Sequence, residues 1–169
     1  PTVTTALADA VVRGVKVRFV FETAGEDRKL VDAARKASKS GQLESRGIDV
    51  RWVNKIMHHK LMIVDGPRET LADAKTAWIA TGSANWSSGA ATRYDENTLF
   101  FTGYAEIALR LQREFETLWQ HSRDFTLDAE RPVTPPALTI GDQDLPQDPN
   151  THVLLTSSNF DATGDTFRI

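Results

Sequence analysis

Cysteine is absent from all 169 residues, which excludes disulfides, thiolate metal sites and cysteine nucleophiles together. Long apolar runs are missing as well. No stretch approaches the ~20 residues of a membrane span, and no N-terminal stretch has the charged-then-apolar build of a signal peptide. The chain begins at Pro1, so the missing leader carries no information about compartment. There is no excess of positive charge: a formal net charge of -3 argues against a generally basic nucleic-acid binder. Internal repeats are absent too. What remains is ordinary for a globular protein, with 40% hydrophobic and 25% charged residues. The length suits one domain with a sizeable core and is too short for two full ones.

The charge is unevenly spread. From Asp27 to Lys60 there are nine Lys/Arg against four Asp/Glu, and from Asp124 to Ile169 eight acids against two arginines. Solvated faces of opposite sign account for this by themselves. The basic stretch nevertheless leads directly into the segment "MHHKLMIVDG" (57–66), which points to an anionic ligand there.

Val3, Ala6, Leu7, Ala10 and Val11 recur at helical spacing, with Gly14 at the expected C-terminus. "VKVRFVF" (15–21) alternates as a strand does. Residues 26–40 read as a Lys/Arg-rich helix broken by "SGQLESRG". "IDVRWV" (48–53), "KLMIVD" (60–65), "TAWIATGS" (76–83) and "NTLFFT" (97–102) read as further strands. Ile107, Leu111, Phe115, Leu118 and Trp119 share one face of a helix from about residue 104 to 120. The expected fold class is therefore α/β, a mixed β-sheet flanked by helices on both faces. Residues 1–130 form the expected domain. Residues 131–150, with five prolines, read as a linker or loop, and 151–169 as one more strand.

Three places carry residues suited to chemistry. His58 and Lys60 are two apart, so on a strand both emerge on one face while His59 points the other way. An imidazole beside an ammonium suits an anionic substrate: the lysine holds phosphate oxygens, and the histidine attacks or shuttles protons. Asp65 ends the apolar run just before Gly66, an ordinary turn signal. Downstream, "TGSANWSSGA" offers Gly82 for close backbone approach, with Ser83 and Asn85 as small hydrogen-bonding side chains suited to phosphate. Trp86, beside Asn85, reads as a core residue rather than a substrate contact. In "YDENTLF", Glu96 stands just before a strand, where its carboxylate can accept from a histidine nitrogen and fix its tautomer. Each feature alone has a structural explanation; their combination in order is the signal.

H-x-K-x4-D (His58, Lys60, Asp65), then G-S-x-N (Gly82 to Asn85), then Glu96, resembles the phospholipase D superfamily. The opening helix, the "RGVKVRFVF" strand and the closing helix with Phe115 and Trp119 extend the resemblance over most of the chain. It implies a phosphodiesterase that works without metal or cofactor, in two displacements through a phosphohistidine. His58 would be the nucleophile or the general acid. Lys60, Ser83 and Asn85 would hold phosphoryl oxygens, Glu96 would orient His58, and Asp65 would support the turn more than touch substrate.

The chain departs from that pattern in one respect. Members use two H-x-K motifs, and neither His121 nor His152 has a lysine two residues on. The expected partner is a second H-x-K, from an identical chain or from another portion of the polypeptide. "VLLTSSNFDATGDTFRI" resembles the start of a second catalytic half, and the opening helix is one that members normally precede with a strand. Both ends therefore suggest a piece of a longer enzyme. The substrate stays open between a phospholipid, which the acidic balance favours, and nucleic acid, which Arg46, Arg51, Lys55 and Lys60 favour. Hydrolysis and transfer to an alcohol also stay open. The competing reading is a non-catalytic half-domain that binds phosphate-bearing ligands or a partner chain.

Overall fold

A computed structural model of the chain describes residues 2–22, 32–53 and 57–125, together with the pairs 157–158 and 167–168. Helix α1 (Val3–Val12) precedes strand β1 (Arg18–Glu22), helices α2 (Asp32–Ala37) and α3 (Lys39–Glu44), and strand β2 (Asp49–Val53). Then come β3 (Leu61–Val64), α4 (Leu71–Ala74), β4 (Trp78–Gly82), α5 (Ser88–Arg93) and β5 (Thr98–Phe101). Helix α6 (Ala105–Gln120) and the short strands β6 (Arg123–Asp124), β7 (Ser157–Ser158) and β8 (Phe167–Arg168) complete the order. The class is α/β, as expected. The main strands are shared between two three-stranded sheets, β1-β2-β6 and β3-β4-β5, with β7-β8 as a separate ribbon. No helix among the described residues is long and apolar enough to cross a membrane.

The chain divides into two compact units: Pro1–His59 with Leu118–Pro136, and Lys60–Thr117 with Ala137–Ile169. In the first, β1 and β2 run parallel with Arg18 opposite Asp49 and Glu22 opposite Val53, while β6 is antiparallel to β2. Alternation sends Phe19, Phe21, Val50 and Trp52 to one face, where they meet Leu43, Ile48 and Phe125. Trp52 packs edge-on against Phe125 at 5.6 Å between ring centroids. The other face carries Arg18 and Arg51, whose guanidinium carbons lie 5.0 and 4.2 Å from the centre of the Trp119 ring.

"SGQLESRG" ends a helix later than expected: α3 runs on through its first residues to Glu44, and the break before it falls at Ser38. Ser38 closes α2 and opens α3, donating to the Arg35 carbonyl at 2.7 Å and accepting from the Gly41 N–H at 3.1 Å. Gly41 then sits buried inside α3, because a Cβ there would come 2.2 Å from the Arg35 carbonyl oxygen. The glycine serves close packing between two turns of helix and breaks neither. Residues 26–31, where the expected helix begins, lie outside the described residues. So does the Pro-rich segment 131–150. Of residues 151–169, expected as one strand, the described ones are Ser157–Ser158 and Phe167–Arg168, two short strands paired antiparallel with each other.

The second unit is built on antiparallel pairs, Ile63 opposite Ile79 and Ile79 opposite Phe101. These residues and Leu61 pack against Ala74, Ala77 and the α6 residues Ala108, Leu109 and Leu111. The opposite sheet face carries Met62, Val64, Trp78 and Phe100, all exposed and apolar, around an open groove of about 430 Å³. Helix α6 is buried more widely than the expected stripe. Ile107 and Phe115 are only half-buried, whereas Ala108, Leu109 and Gln112 are almost fully enclosed.

Candidate active site

The antiparallel register determines which residues share one end of the second sheet. Leu61 faces Thr81, and Gly82 faces Thr98. Lys60, Ser83 and Asn97 each adjoin one of these paired residues, so all three belong to that end. Gly82 makes the crowding feasible: a Cβ there would lie 2.2 Å from the Asn97 carbonyl oxygen. Only a residue without a side chain lets the end of β4 touch the start of β5 so closely.

Ser83 uses that approach three times. Its backbone N–H donates to the Asn97 carbonyl at 3.0 Å, and its Oγ accepts from the Asn97 N–H at 3.0 Å. The hydroxyl in turn donates to Glu96 Oε2 at 2.5 Å. A hydroxyl that gives its proton to a carboxylate forms a short, charge-assisted bond and holds both side chains in place. Glu96, expected as the orienter of His58, thus has its hydrogen bond here with Ser83. It is half-buried, while Ser83 is exposed.

Lys60 is buried, with 6% of its surface exposed. An ammonium so placed gives up most of its hydration, and its position is set by the surrounding protein rather than by solvent. His58 is exposed and His59 half-buried. The strand ladder begins only at Leu61, so the H-x-K segment leads into β3 and is not part of it. His58 belongs to the first unit and Lys60 to the second, the boundary falling between His59 and Lys60.

Asp65 lies just past β3 with φ of 59°, a left-handed conformation that an aspartate tolerates better than most residues. Asn85 is exposed, and its backbone carbonyl accepts from the Ser87 N–H at 2.7 Å, turning the chain into α5. Trp86 is not a core residue. It is 44% exposed and belongs to neither buried cluster.

Sequence reasoning missed Gln112. It is 2% exposed, and its side-chain amide brackets Arg68, accepting from its N–H at 2.9 Å and donating to its carbonyl at 2.8 Å. The amide acts as a one-residue strand partner for the chain that follows Asp65. A polar residue four positions after Ala108, beside Leu111 on a buried helix face, was the available signal.

A family model described as "Cardiolipin synthase, PLD-like domain" matches residues 1–119. Among solved structures, the chain is similar to Nuc from Salmonella typhimurium, a phospholipase D family member. The two share 27% sequence identity over 72% of each chain, with a TM-score of 0.56. No curated protein matches the chain.

Proposed function

The chain belongs to the family of cardiolipin synthase PLD-like domains, and we infer that it contributes one H-x-K half-site to a phosphodiester-cleaving centre. The observation that carries this reading is the hydrogen-bonded group Ser83, Glu96 and Asn97, assembled at the sheet end that also carries Lys60. A rigid polar group at the same sheet end as a buried cation suits the holding of a phosphoryl group in transit.

In this mechanism an imidazole nitrogen of one H-x-K histidine attacks phosphorus. The bond from phosphorus to the leaving oxygen breaks, and the other histidine protonates the departing alkoxide. That second histidine, now neutral, takes a proton from the incoming water or alcohol. The oxygen attacks the phosphohistidine and releases the first histidine. His58 fills one of these two roles. Only one residue separates it from Lys60 in the H-x-K segment, so covalent geometry keeps the two Cα atoms within ~7 Å. Lys60 and Asn85 donate to the non-bridging oxygens, and Ser83 does so once its hydroxyl turns from Glu96 to the substrate. Asp65 shapes the turn behind β3.

Hydrolysis of an aryl phosphodiester in EDTA, followed over a range of protein concentrations, tests this. Specific activity that rises with concentration and disappears in His58→Ala would support a metal-free site shared by two copies. Turnover that depends on added metal, or that survives His58→Ala, would sink the mechanism. The single H-x-K copy favours one competitor, a half-site that binds phosphate without turning it over. In that case His58→Ala would leave phosphodiester binding largely intact, with no turnover to lose.

A further inference from the structure

Glu22 is the last residue of β1 and pairs in register with Val53, the last residue of β2. The two parallel strands therefore end side by side. Groups that serve ligands in open α/β sheets gather beyond such carboxyl ends. From that position Glu22 Oε2 accepts a hydrogen bond from the backbone N–H of Met57 at 3.1 Å, across 35 positions of sequence.

Met57 is the residue before His58. Residues 57–60 belong to no helix or strand, and the ladder that would align them starts at Leu61. The Glu22 carboxylate therefore holds the peptide that leads into the H-x-K segment. The bond is exposed, so water competes for both partners and its contribution to stability is small. A misplacement of about 1 Å at a reacting group, in contrast, costs up to roughly a hundredfold in rate.

We propose that Glu22 is a positioning residue for His58: its carboxylate fixes the peptide ahead of the histidine and thereby aims the imidazole. The proposal rests on the reading of His58 as a reacting group, given above. Glutamine retains an acceptor oxygen at the same reach, whereas alanine retains none. A role played through the hydrogen bond therefore survives Glu22→Gln and is lost in Glu22→Ala. A role played through the charge alone is lost in both.

The test uses the full chain with both variants and two readouts. The first is independent of turnover: amide hydrogen exchange at Met57, and the ring resonances of His58 identified by their loss in His58→Ala. The second is steady-state hydrolysis of an aryl phosphodiester. In Glu22→Ala the Met57 amide is expected to exchange roughly tenfold faster and the His58 ring signals to shift, with Tm unchanged. There kcat falls about tenfold or more at constant KM. Glu22→Gln restores most of each property.

Unchanged Met57 exchange in Glu22→Ala would overturn the proposal, as would faster exchange with unchanged kcat. Equal loss in both variants would assign the effect to charge and overturn it too. A fall in Tm that accounts for the lost activity would reduce Glu22 to a structural residue. If the unmodified chain shows no turnover, the functional reading fails separately. The exchange and ring signals then still decide whether Glu22 aims His58.

Discussion

The strands β2 and β3 have opposite relations to solvent. Four of the five residues of β2 are buried and the fifth is half-buried, whereas β3 alternates half-buried and exposed along its four residues. A strand enclosed on both faces has no surface left for a ligand, and parallel pairing tends to produce such enclosure. The antiparallel sheet is packed on one face and open on the other, and it turns polar at one end. Burial is greatest along β2 of the first sheet, and Lys60, Ser83 and Asn97 gather at one end of the second, so the first sheet is the expected stability centre.

If that division is correct, the largest effect on folding comes from Trp52, which touches Phe21 and Phe125 within the first core. Trp52→Ala is expected to cost about 3–5 kcal/mol in urea unfolding. A loss under 1 kcal/mol would mean that this sheet is not the stability centre. Ser83→Ala removes the hydroxyl that joins Glu96 to Asn97. Phosphodiester turnover should fall by roughly 10²-fold while the unfolding midpoint moves little. Equal losses in stability and rate would blur the contrast between the sheets.

Gln112→Ala tests the boundary between scaffold and site. It leaves the N–H and carbonyl of Arg68 without their partner, at about 1–3 kcal/mol. Gln112→Glu should recover only the bond donated by the Arg68 N–H. Because its carboxylate has no donor for the carbonyl, an intermediate midpoint is the expected result. The smallest effect is expected on the open sheet face. Phe100 is 69% exposed, and Phe100→Ser should alter unfolding by no more than about 0.5 kcal/mol. A larger, concentration-dependent loss would show that this face is covered by a second copy in solution.

The strands around Trp52, Ile63, Ile79 and Phe101 were legible because alternation and short apolar runs are local properties of the chain. Helix α6 was legible from the spacing of Leu111, Leu118 and Trp119. The division between α2 and α3 was not, since Ser38 and Gly41 resemble loop residues until the Arg35 carbonyl is seen packed against them. The exposure of Trp86 was equally hidden, because a tryptophan in sequence carries no record of whether its loop turns inward. Among the candidate site residues, His58, Lys60, Ser83, Asn85 and Glu96 were marked by their order. Glu22 and Gln112 were not, because each acts on a backbone group tens of residues away.

By itself the sequence determined the α/β class, the principal strands and the residue types available for phosphodiester chemistry, because side-chain periodicity and motif spacing are written along the chain. Only the tertiary structure decided that Ser83 binds Glu96 and Asn97, that Glu22 holds Met57 and that Gln112 brackets Arg68. Those bonds join residues 13, 14, 35 and 44 positions apart. Contacts at such separations depend on strand register and helix packing, which no local pattern specifies.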